Sequence, residues 1–139
     1  MPAEHPPPLV LALVLADNGH LDPVSDKYYI LGIISGIRAA SFPTEPADLC
    51  VYAALTEGRG KTGISIRLID TDEAEEPVCS ADEEVEFETP LSVIEPMVIM
   101  EEIEFPEPGV YRLQLHSGEH LLSEIRLNVE GTQEPDAES

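Results

Sequence analysis

Apolar and polar positions along this chain alternate mostly with the two-residue period of β-strands, and no segment shows a capped helical repeat. Over residues 61–70, Ile64, Ile66 and Leu68 fall on one face and Ser65 and Arg67 on the other, the pattern of a half-buried antiparallel strand. Residues 82–88 place Val85 and Phe87 between Glu84, Glu86 and Glu88, and that charged outer face suits a sheet edge. Tyr111, Leu113 and Leu115 share a face, as do Ile125, Leu127 and Val129, so 110–115 and 121–129 predict two strands joined through the turn at 116–120.

Other segments carry the period less cleanly. Residues 9–16 form an unbroken, mostly branched apolar run, which predicts a strand buried on both faces, and the turn formers of 17–23 predict a connector after it. The β-branched and aromatic stretch 27–39 contains Gly32 and Gly36, which argue against a helix and for one bent or bulged strand. Residues 49–56 predict another strand, and Glu57-Gly58-Arg59-Gly60 a hairpin loop leading into 61–70. In 93–105, Met97, Ile99, Ile103 and Phe105 share a parity that Ile94, Val98 and Met100 interrupt, which predicts a bulge. About eight to nine strands, with turn signals every ten or so residues, predict an all-β fold: one antiparallel β-sandwich over residues 9–130, behind a Pro-rich leader at 1–8 and ahead of an acidic tail at 131–139 that frays.

One corner sharpens that expectation. In Phe105-Pro106-Glu107-Pro108-Gly109-Val110-Tyr111, the two prolines end strand pairing and Gly109 gives the backbone room to turn. Glu107-x-Gly109-x-Tyr111-x-Leu113 resembles the acidic-x-Gly-x-Tyr-x-Cys signature of immunoglobulin-type sandwiches, with Leu113 at the cysteine position. The resemblance implies an immunoglobulin-like sandwich in which the Tyr111 hydroxyl bonds back to the backbone just upstream. It concerns architecture and carries no function.

Charge narrows the partners. The 139 residues include 28 Asp and Glu against 7 Lys and Arg, a net charge of -21, which disfavours nucleic acid and anionic membrane surfaces. Aromatic residues make up 5% of the chain and Trp is absent, so aliphatic side chains must build the core. Cys50 alternates with apolar neighbours as a buried free thiol does, and two cysteines make no disulfide framework. The segment before the 9–16 run has no Lys or Arg, so that run reads as a strand rather than a secretion signal, and the expected location is cytoplasmic.

Candidate chemistry is sparse. The acidic turn with Asp70, Asp72, Glu73, Glu75 and Glu76, joined by Asp82 and Glu83, is the best metal candidate, because hard cations take several loop oxygens. Asp70, Asp72 and Glu73 are its proposed ligands; a solvated acidic turn is the plainer account. His116 and His120 flank a turn rather than a helix face, which suits exposed histidines better than zinc. Gly60-Lys61-Thr62 imitates the end of a phosphate loop but sits between alternating strands instead of before a helix. No nucleophile motif and no catalytic constellation stands out, so the expectation is a non-enzymatic protein that needs no cofactor. Its expected role is a protein-interaction or scaffold module, pairing with a partner or a second copy through sheet edges at 27–39 or 82–88. The alternative is a cation- or small-ligand-binding domain built on the 70–83 loop.

A broader likeness spans about residues 9 to 130. Leu15-Ala16-Asp17, a Gly, Ile30-Leu31-Gly32-Ile33 running to Ile37, and Phe42-Pro43 resemble the opening of a bacterial family of small uncharacterised proteins. A hydrophobic strand with a polar hairpin at 56–61, the Phe-Pro-x-x-Gly-x-Tyr corner and a closing hairpin at 113–129 follow in the same order. The resemblance implies a bacterial, cytoplasmic, stand-alone domain and supplies no catalytic or binding residue.

Overall fold

Nine strands and no helix account for the regular structure of residues 6–71 and 77–132, the part of the chain described by the computed structural model. They are β1 (Leu9–Asp22), β2 (Lys27–Ile33), β3 (Gly36–Ala39), β4 (Ala47–Thr56), β5 (Gly60–Asp70), β6 (Cys79–Phe87), β7 (Met97–Ile103), β8 (Gly109–Ser117) and β9 (His120–Gly131). One sheet has the order β2-β1-β4-β7 and the other β3-β9-β8-β5-β6. The chain is an all-β sandwich. Its core joins Leu15, Val51 and Leu55 of the four-stranded sheet to Ile66, Leu68, Leu113 and Leu127 of the five-stranded sheet.

The alternating segments fall where their periodicity places them. Ile64, Ile66 and Leu68 are buried on β5, Val85 and Phe87 on β6, and Leu127 and Val129 on β9. β6 is an outer strand, so its glutamates do line a sheet edge. β8 and β9 form the expected hairpin, with Ser117 paired to His120 across its turn.

Several expectations are corrected. The apolar 9–16 run is not buried on both faces: Leu9 and Leu11 are about half exposed, and β1 continues through the expected connector to Asp22. The 27–39 stretch is two strands, because the chain crosses between sheets at Ile34-Ser35. β3 then runs parallel to β9, with Gly36 opposite Asn128, so the sandwich is not purely antiparallel. Residues 57–60 do not close a hairpin, since β4 and β5 lie in different sheets.

The bulge expected in 93–105 is present, but the core parity is the other one. Val98 and Met100 face the core while Ile99 faces out, and Ile103 returns inward after an extra residue. Ala47 pairs with Ile103 and Leu49 with Met100, so Glu101 and Glu102 together oppose Asp48. Glu102 sits in the left-handed region at φ 57°, and its N–H donates to the Asp48 carboxylate at 2.9 Å.

The Pro/Gly corner is a tyrosine corner. The Tyr111 hydroxyl donates to the Glu107 carbonyl at 2.6 Å, and the ring is fully buried edge-on to Phe105. Gly109 adopts φ +152°, a value L side chains rarely take. Thr44 ties the corner to the segment after β3, its N–H donating to the Phe105 carbonyl at 3.0 Å and its hydroxyl accepting from the Phe105 N–H at 2.9 Å.

Candidate interaction surface

A sandwich has four outer strands, and each leaves backbone donors and acceptors open unless something blunts it. Here three are blunted. β6 carries exposed Glu83, Glu84 and Glu86; β7 carries a bulge with Glu101 and Glu102; β3 has four residues. β2 differs. Its seven residues include neither Pro nor an acidic side chain, and Tyr29, Leu31 and Ile33 are 44%, 51% and 70% exposed on one face.

The hairpin of β1 and β2 is held at its tip by Asp22. Its carboxylate accepts from the Val24 N–H at 3.1 Å and the Ser25 hydroxyl at 2.8 Å, and these bonds keep the Asp22 carboxyl below its usual range. The tip half of the hairpin turns back over the outer face of the four-stranded sheet. Gly19 makes this close approach practicable: a Cβ there would lie 2.8 Å from Cys50 Sγ and 3.0 Å from Met97 Sδ. Cys50, beneath Gly19, is fully buried, and Ala16 and Ala54 on the same strands are buried too, although none of the three belongs to the central core. The Tyr28 ring packs on Tyr52 with centroids 5.6 Å apart at 56°.

An open recess of about 440 Å³ lies between the hairpin arm and the sheet, lined by Asp26, Lys27, Tyr28, Ile30, Tyr52 and Glu95. The Tyr52 hydroxyl donates to the Glu95 carboxylate at 2.5 Å. Burial, reinforced by that carboxylate, pushes the Tyr52 phenol up to about 12. Sequence reading missed this group. Its signal lay in β4, where Cys50, Tyr52 and Ala54 alternate with core residues Val51, Ala53 and Leu55. In β4 apolar side chains in both phases go with burial on both sides, as they do not over residues 9–16.

Of the acidic turn, Asp70 is described, and Asp82 and Glu83 do not join it. Asp70 ends β5 and is buried on its core-facing side, opposite Tyr111. Asp82 lies opposite Ser65 on the outward side of the same sheet, accepting from the Ser65 hydroxyl at 2.7 Å. Five positions along β5 separate these levels, about 16 Å, so Asp82 and Glu83 do not converge with Asp70. Asp72 and Glu73, with Glu75 and Glu76, lie outside the described residues. Among the described residues no three His, Cys, Asp or Glu side chains gather as a metal-holding group.

His116 bonds to Gln114 at 2.9 Å and pairs with Leu121, whereas His120 is exposed and pairs with Ser117, so the two histidines have different neighbours. Gly60-Lys61-Thr62 starts β5 and precedes no helix. Both cysteines are free thiols, and Cys50 is fully buried, which raises its pKa. Among the described residues no helix is long and apolar enough to cross a membrane.

No curated protein matches the chain. A family model does, over residues 11–130, which include nearly all of the nine strands. By that match the chain belongs to DUF6941, a family of unknown function.

Proposed function

We propose that this protein is a non-catalytic interaction module that takes up an extended segment of a protein partner, or the same strand of a second copy, along β2. The observation that carries the reading is the contrast among the four outer strands: β2 alone combines length, exposed apolar side chains and freedom from Pro, bulge and acid. Added strands gain affinity from main-chain hydrogen bonds and specificity from alternate side chains, and Tyr29, Leu31 and Ile33 offer that alternation. We also read the topology as immunoglobulin-like, on the strength of the tyrosine corner and the β8–β9 hairpin that follows it. A cytoplasmic setting, within a bacterial family, fits two cysteines kept as free thiols.

The test is light scattering and affinity capture with wild type, a Leu31→Lys/Ile33→Lys variant and a Glu84→Lys/Glu86→Lys control. Dimerisation or partner retention should be lost in the β2 variant and kept in the control. A monomer that retains no partner at native salt counts against the reading. The alternative, cation binding at the acidic turn, is separated by thermal melts: calcium must raise the midpoint if the folded turn binds it.

A further inference from the structure

We propose that the recess formed by Tyr28, Tyr52 and Glu95 is a binding site for an organic cation, an N-alkylated ammonium group. The site is distinct from the open edge of β2 and does not depend on strand pairing there.

Two aromatic rings from different elements meet at an angle, Tyr28 from the hairpin arm and Tyr52 from the sheet beneath it. A cation placed over such a ring within about 6 Å of its centroid is attracted by the negative π-face. Glu95 supplies the counter-charge. Its carboxylate accepts one hydrogen bond, from Tyr52, although a carboxylate offers about four acceptor positions. Among the described residues the ion pairs are Arg38–Glu130 and Arg112–Glu124, so neither Glu95 nor Asp26 forms one, although Lys27 lines the same recess. Ile30 adds an apolar surface for the alkyl groups, and Asp26 adds a second negative charge at the rim.

The choice of ligand follows from these walls. A hard metal ion asks for about six to eight oxygens, and this recess brings carboxylates only from Asp26 and Glu95 between two rings. An anion would meet both carboxylates and the field of a chain with net charge -21. A weakly hydrated ammonium carrying methyl groups satisfies rings, carboxylate and Ile30 together. Such a group exists on free choline-like molecules and on methylated lysine side chains. Lys27, the one cation lining the recess, is exposed and competes with either.

The experiment follows the N-methyl proton resonances of choline titrated with the protein, because ring currents from Tyr28 and Tyr52 move them upfield on binding. Parallel arms use a short trimethyllysine peptide and neohexanol, the uncharged carbon isostere of choline. Choline should shift saturably and neohexanol should not. Glu95→Gln should weaken choline binding about tenfold or more, Lys27→Met should tighten it, and Leu31→Lys on the β2 edge should leave it unchanged. Tighter binding of the peptide than of choline assigns the cation to a partner protein; the reverse assigns it to a small molecule. Equal binding of neohexanol, unchanged affinity in Glu95→Gln, or no saturable shift with either cation overturns the proposal. Tyr28→Leu adds a check on the ring wall; Glu95→Gln, a near-isosteric change at a partly exposed side chain, keeps the test valid even if that variant misfolds.

Discussion

β2 and β6 are both outer strands of the sandwich, and the chain treats them in opposite ways. β6 alternates buried Val85 and Phe87 with exposed glutamates, so any strand arriving at that edge meets a row of negative charge. β2 presents Tyr29, Leu31 and Ile33 to solvent along with Lys27 at its start, and Tyr28 and Ile30 pack toward the sheet beneath the arm. In a protein with 28 acidic residues, a seven-residue edge without one is a departure from the chain's own composition; the other acid-free edge, β3, has four residues. The difference teaches where to look for contacts: acid lines the edge at β6, whereas β2 joins the absence of acid to seven residues of length and exposed apolar side chains, which the four-residue β3 does not.

The comparison breaks most readily at the hairpin arm. Gly19→Val would put side-chain carbons into Cys50 Sγ and Met97 Sδ, where even a Cβ comes within 3.0 Å, and overpacking of that kind costs about 1–3 kcal/mol. Denaturant unfolding should register the loss, and Cys50 should become reactive toward a thiol reagent as the arm lifts. Glu84→Val on β6 should stay within about 0.5 kcal/mol of wild type. If Gly19→Val proves equally silent, the arm does not roof the sheet and β2 is no better ordered than a loop.

The next effect in size tests the frame that holds both edges apart. Tyr111→Phe removes the hydroxyl that donates to the Glu107 carbonyl and should cost about 0.5–1.5 kcal/mol in thermal or chemical unfolding. A melt indistinguishable from wild type would mean that this hydroxyl adds nothing to the corner's stability.

This corner was legible in the sequence, and its legibility is instructive. Pro106, Pro108, Gly109 and Tyr111 act within a span of a few residues, so local chemistry states the structure. The half-buried strands β5, β6 and β9 were legible for a similar reason, since one wet face leaves a period of two. Strand partners were not. Glu57-Gly58-Arg59-Gly60 has hairpin composition, yet the same residues carry the chain from one sheet to the other, because the core requires β5 beside β6 and β8. The parallel pairing of β3 with β9 joins residues some ninety positions apart, and nothing in Gly36–Ala39 names its partner. Of the surface features, the acid on β6 could be read from alternation alone. The recess could not, because Tyr28, Tyr52 and Glu95 meet only after the arm folds back. The joining of Asp82 to the acidic turn shows the converse: Asp70 and Asp82 are near in sequence and lie on opposite sides of a sheet.

Charge placed on the two edges should barely alter stability. Leu31→Lys/Ile33→Lys and Glu84→Lys/Glu86→Lys are exposed changes, and each pair should leave the unfolding free energy within about 0.5 kcal/mol per residue. Their effects on association should differ, with loss from β2 and none from β6. Equal loss from both would make the contact electrostatic rather than edge-specific, and salt should then weaken it in both variants.

The smallest expected effect concerns His116, on the outward face of β8, away from both edges. Burial, with a contribution from the Arg67 guanidinium, holds its imidazole below the usual histidine value of 6.5, and Glu124 opposes that shift. The unfolded chain therefore takes up this proton at a higher pH than the folded chain does. Stability from neutral His116 is fully present above pH 6.5 and is lost as pH falls below it toward the lower folded pKa. Acidification also relieves self-repulsion in a chain with net charge -21, which acts in the opposite direction. Subtracting a His116→Gln variant, measured by denaturant unfolding between about pH 7 and pH 5, removes that common background. Wild type should lose slightly more stability than the variant over this interval. A loss of equal size in both would mean that Gln114, Arg67 and Glu124 leave His116 as free to titrate as it is in the unfolded chain.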